Sequence, residues 1–112
     1  MTTEHKMMCG EILKYYGKQP QLHKLVEECC ELGQAAMKFD YKQTSTNAEN
    51  LFEELADVKI MIEQISQAVD GLSEDRINHW IDYKLKRQMT RIENERSAKA
   101  EANKTKRYII YS

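Results

Sequence analysis

Leu51, Leu55, Val58, Ile62, Ile65 and Val69 recur at alternating spacings of four and three, the seam of a packed helix. Phe52 and Ile60 lie off that seam, which predicts either a wider core stripe or a second face used between subunits. The preceding segment carries a similar stripe in Leu22, Leu25, Val26, Cys29, Leu32 and Ala36. These patterns predict four helices. The first runs from about Glu4 to Tyr16 and ends at Gly17. Pro20, suited to a first helical turn, opens the second, which reaches about Phe39. A polar loop follows, and Thr46 with Glu49 reads as a capping box for the third helix, which runs to Val69. Gly71 stands where a left-handed C-cap is expected. Ser73 then caps the fourth helix, with Glu74 and Asp75 placed well against its dipole, and that helix reaches at least Ile92.

Beyond about Glu95 the chain is almost wholly polar to Arg107, so helix there would be solvated or frayed. Tyr108, Ile109, Ile110, Tyr111 and Ser112 turn apolar again, either to dock on a neighbour or as an unconstrained tail. The expected organisation is an all-α four-helix bundle over residues 1–95 and a polar extension over residues 96–112. No internal repeat is evident. With one Pro and four Gly in 112 residues, breakers are few. A lone domain of this size buries roughly two thirds of its unfolded surface, so association with copies of itself is a ready way to gain core.

The formal net charge of −1 gives no global reason to expect nucleic acid or a membrane as partner. Cys9, Cys29 and Cys30 form no C-x-x-C pair, and His5, His23 and His79 lie outside zinc-type spacing. Reduced thiols are the expectation. The first residues lack a signal-peptide core, and no stretch approaches the ~20 apolar residues of a membrane span, so a cytoplasmic location is expected.

The placement of the acids carries the chemistry. Glu54 and Asp57 are three apart on the third helix, so both project from one side, on the flank of the apolar seam, with Met61 beside them. On the second helix Glu28 lies at the edge of the stripe with Glu31 three residues on, Glu27 points further round, and small Ala35 leaves room beside them. Antiparallel packing of these helices would bring four carboxylates across one groove. Like charges there repel unless cations intervene, and hard oxygen ligands in that number suit Mg²⁺ or Mn²⁺. The plain alternative is a solvated acidic face with Lys24 and Lys59 as ion-pair partners. A di-iron carboxylate bundle would need Glu-x-x-His pairs, and there are none.

Glu27-Glu28-x-x-Glu31 followed by Glu54-x-x-Asp57 resembles the E-E-x-x-E…E-x-x-D signature of MazG-type nucleoside triphosphate pyrophosphohydrolases. The stretches HKLVEECCELGQAAMKF, NLFEELADVKIMIEQI and YKLKRQMTRI resemble the small single-domain branch of that superfamily, over roughly residues 5 to 95. The resemblance implies that Glu28, Glu31, Glu54 and Asp57 hold Mg²⁺ and form the catalytic cluster, with Glu27 in support. It implies a nucleoside triphosphate as substrate, with pyrophosphate and a monophosphate as products, and a homodimer or homotetramer.

Lys84, Arg87 and Arg91 share one side of the fourth helix, and the resemblance implies a basic contribution there, Lys84 and Arg87 above all. Lys24, one turn before Glu28, either touches phosphate or forms an ion pair within its own helix. Trp80, Tyr15, Tyr16 and Phe39 are aromatics able to stack on a base or to serve as core. The rival reading is a helical oligomeric or regulatory module that keeps the fold without activity.

Overall fold

The computed structural model describes residues 1–111, with side chains described through residue 107; the apolar residues at 108–112 therefore have side chains outside the described set. All regular structure among the described residues is helical. Helix α1 spans Thr3–Tyr16, α2 Lys18–Tyr41, α3 Ser45–Val69 and α4 Ser73–Tyr111.

Local chemistry sets each boundary. Thr2 caps α1 by accepting from the His5 N–H at 3.1 Å. Gly17 ends it at φ 92°, a left-handed backbone open to glycine, and donates its N–H to the Leu13 carbonyl at 2.8 Å. That single residue turns the chain. α2 therefore starts at Lys18, two residues ahead of the expected Pro20, and Pro20 falls in the first turn, where its missing N–H needs no partner. Thr44, and not Thr46, caps α3, accepting from the Asn47 N–H at 3.1 Å. The Asn47 side chain donates to the Lys42 carbonyl at 2.9 Å and ties the end of α2 to the start of α3.

Gly71 does not take the expected left-handed conformation; Gly17 alone among the described residues has positive φ. Asp70 stops α3 in extended backbone at φ −166°, its carboxylate accepting from the Leu72 N–H at 2.7 Å. The Ser73 hydroxyl donates to the Asp70 carbonyl at 2.9 Å, so no left-handed residue is required at this corner. α4 runs unbroken through the polar stretch of residues 95–107, which is solvated helix. Its Ala, Glu, Lys and Arg content favours helix without packing, helped by pairs such as Lys104–Glu101 at 3.7 Å.

Two compact units result, Met1–Ser73 and the remainder from Glu74. In the first, α2 and α3 form an antiparallel hairpin with α1 against them: Lys38 meets Asn47 near the turn, and Gln21 meets Gln64 far from it. Among the described residues the buried apolar side chains are Cys9, Ala35 and Met61, joined by the polar Gln21, Glu28, Gln64 and Ser73. This corrects the expected orientation of α3. Its innermost face is the flank carrying Met61 and Gln64, whereas Leu55, Ile62 and Val69 of the predicted seam are 41%, 47% and 67% exposed. Leu22 and Val26 on α2 are exposed too. α1 and α2 cover one side of α3, and the seam lies at its edge, with Leu51, Val58 and Ile65 half-buried and Leu55, Ile62 and Val69 exposed.

Candidate metal centre

The register of the α2–α3 hairpin sets Glu28 opposite Glu54 and Asp57. Each of the three offers a carboxylate oxygen within 4.8 Å of the others. Glu28 is 7% exposed, which is deep for a carboxylate, and Asp57 is partly exposed at the mouth. Glu28 Oε1 lies 3.3 Å from Lys24 Nζ, which also reaches Glu27 Oε2 at 3.6 Å. The opposite oxygen, Glu28 Oε2, is buried with no hydrogen-bond partner, and Glu54 Oε2 shares that condition. Buried acceptors without a donor are rare and costly, and more so when charged. Three carboxylate oxygens gathered this closely could hold a metal ion.

Lys24 is the cation the protein itself supplies. Its hydrogen bond to Glu28 raises the ammonium pKa, reinforced by the charges of Glu28 and Glu27. The ion pair allowed for Lys24 in the sequence is thus present. It serves one oxygen of the cluster and leaves the two buried ones bare.

Glu31, one turn along α2 from Glu28, is exposed and stands outside the close trio. Glu27 points outward toward Lys24, in keeping with a supporting position. Lys84, Arg87 and Arg91 are exposed on α4, in the second unit, where the Arg87 guanidinium lies 5.5 Å from the centre of the Tyr83 ring. Trp80 belongs to that unit and is exposed, and Tyr15 on α1 is exposed as well.

Next to the carboxylates, α1, α2 and α3 enclose a cleft of about 500 Å³. Glu28, Asp57 and Lys24 line one part of it, and Ile12, Tyr16, Ile60 and Met61 give it apolar walls. Of the four aromatics singled out in the sequence, with stacking and core roles both open, Tyr16 lines this cleft. Between the walls Gln21 Nε2 donates to Gln64 Oε1 at 2.7 Å, in a buried carboxamide pair. Neither glutamine stands out by hydropathy, yet both carry a positional signal. Gln64 follows Asp57 by seven residues and Gln21 precedes Glu28 by seven, so each repeats the helical face of a cluster acid.

The Cys9 thiol, on α1, is buried 3.9 Å from the Ile60 carbonyl, and burial raises its pKa, with the Glu63 charge adding to the effect. Cys29 and Cys30 are exposed free thiols. No helix among the described residues is long and apolar enough to cross a membrane.

No family model matches the chain, and neither a curated protein nor a solved structure matches it.

Proposed function

We propose that this chain is a Mg²⁺-dependent nucleoside triphosphate pyrophosphohydrolase of the MazG type, acting in the cytoplasm on free nucleotides. The observation that carries the reading is that Glu28, Glu54 and Asp57 each offer a carboxylate oxygen within 4.8 Å of the others, while Glu28 and Glu54 each bury an oxygen with no partner. Glu28, Glu54 and Asp57 would hold the ion, with Glu31 adjoining from the next turn; Mn²⁺ suits the same oxygens. Bound there, the metal supplies charge neutralisation for phosphate oxygens and a more acidic water.

The reaction consumes one water and one triphosphate and yields a monophosphate and pyrophosphate. Lys24, at the cleft edge with an exposed ammonium, is placed to transfer from Glu28 to a phosphate oxygen when a cation takes over the carboxylate. On the resemblance, Lys84 and Arg87 of α4 are candidate phosphate contacts. The apolar cleft beside the acids has the mixed character of a nucleoside site.

The working form is a homodimer or a homotetramer. Three buried apolar residues make a small core among the described residues, while Leu22, Val26, Leu55, Ile62 and Val69 are exposed on α2 and α3. Stripes of this kind on one hairpin suit a self-complementary interface with a second copy.

The test is a Mg²⁺-supplemented screen of deoxy- and ribonucleoside triphosphates scored for pyrophosphate, with Glu54→Gln alongside the wild type. Turnover by the wild type that Glu54→Gln abolishes supports the reading. Absence of turnover with either Mg²⁺ or Mn²⁺ favours the inactive module instead.

A further inference from the structure

Gln64 is the least exposed large side chain of the unit, at 1%, and Gln21 is 7% exposed. Two carboxamides in a helical core are an expensive choice where Leu or Met would pack, unless their hydrogen-bonding capacity is used. Here it is half used. Gln21 Nε2 donates to Gln64 Oε1 at 2.7 Å. Gln64 Nε2 meets only the Met61 sulfur, a weak acceptor, at 4.0 Å. Among the described residues no group donates to Gln21 Oε1.

Both glutamines line the cleft that also holds Glu28 and Asp57. Each lies two helical turns from its cluster acid, about 10 Å along the axis, a separation that a nucleoside spans from phosphate to base edge. The unspent donor and the unspent acceptor lie on one bonded pair, between apolar walls that include Tyr16.

We infer that the Gln21–Gln64 carboxamide pair reads the hydrogen-bonding edge of the substrate's base. The inference rests on the nucleotide-hydrolase reading and adds the residues that decide which base is accepted. The free donor on Gln64 and the free acceptor on Gln21 supply the two hydrogen-bonding characters of a nucleobase's amide-like edge, and rotation of both carboxamides exchanges them. A site of this kind rejects the wrong edge because a mismatched base leaves the buried amides unpaired. Inorganic tripolyphosphate, which has no base, bypasses the pair.

The experiment compares wild type, Gln21→Met and Gln64→Met for kcat/KM on dUTP, dCTP, dATP, dGTP and tripolyphosphate. The wild type should prefer one base edge, and either Met variant should lower that preference by about 10- to 100-fold. Tripolyphosphate hydrolysis should stay within about twofold, since nothing in that substrate meets the amides. In parallel, the side-chain amide resonances of Gln21 and Gln64 in the ¹⁵N-labelled wild type should shift on titration with the preferred nucleotide and Mg²⁺, which decides the matter should a variant fail to fold. Unchanged base preference in a folded variant, or turnover with both amide resonances unmoved, overturns this inference alone. A wild type that neither binds nor hydrolyses any nucleotide overturns the hydrolase reading and this inference with it.

Discussion

Replacing Glu54 with Gln distinguishes a metal ligand from an ordinary structural carboxylate, because the two roles give opposite signs. Glu54 Oε2 is buried without a partner, and Glu28 Oε2 shares that condition. An amide at that position removes one of the crowded charges and offers an N–H to a neighbouring oxygen. An unsatisfied buried polar group costs about 1–3 kcal/mol, so Glu54→Gln should leave metal-free stability unchanged or raise it by about 1 kcal/mol. The same change removes a ligand. A cation at a hundredfold excess over its Kd stabilises the wild type by about 2.7 kcal/mol, equivalent to a Tm increase of roughly 10–20 °C for a unit this small. Thermal unfolding followed by circular dichroism across a MnCl₂ series checks both halves. The wild type should climb and Glu54→Gln should stay flat. A metal-free Glu54→Gln protein less stable than wild type by more than about 1 kcal/mol would refute the reasoning, since the carboxylate would then be a satisfied structural group.

Lys24→Met should tighten Mn²⁺ binding several-fold, measured by calorimetry, because the competing ammonium 3.3 Å from Glu28 is gone; triphosphate affinity should fall in the same protein. The raised Lys24 pKa gives that ion pair a pH signature: its contribution holds below the ordinary lysine pKa and is lost as pH rises through the higher folded value, so pH titration above 10.5 should destabilise wild type more than Lys24→Met. The contribution is small at a side chain half open to solvent. Ile62→Glu, on the exposed seam, should convert the assembly to monomer in sedimentation velocity while helical circular dichroism persists. Gly17→Ala should lower stability by about 1–3 kcal/mol in urea unfolding, because φ 92° is strained for any residue with a Cβ even though the nearest atom, Pro20 Cδ, stands 3.9 Å away.

Helical periodicity carried most of the fold. Gly17 marked the end of α1, and Val69 the end of α3, as the spacing predicts. The angular placement of Glu28, Glu54 and Asp57 also followed from residue numbers alone, since helical geometry fixes which side chains share a flank and antiparallel packing then sets them opposite one another. What the pattern did not contain was which of two apolar faces turns inward. Leu55, Ile62 and Val69 read as the core seam, yet the flank with Met61 and Gln64 is the buried one. Hydropathy ranks a glutamine as surface and a leucine as core, and buried Gln64 beside exposed Leu55 breaks that rule. The caps were misplaced because the local alternatives are close in energy. Thr44 and Thr46 can both cap, and the carboxylate of Asp70 does the work expected of a left-handed Gly71. Glu31 shares the spacing of the motif but stays exposed, since periodicity gives a direction around the helix and no depth.

Pyrophosphate release is the most direct measurement of whether the carboxylate cluster works as a metal centre. Purified wild type and Glu54→Gln are each given a full set of nucleoside triphosphates with and without Mg²⁺. The predicted result is metal-dependent release by the wild type from at least one nucleotide, with loss of about 100-fold or more in Glu54→Gln. Equal rates in the two proteins, or no metal-dependent release from any nucleotide, would contradict it.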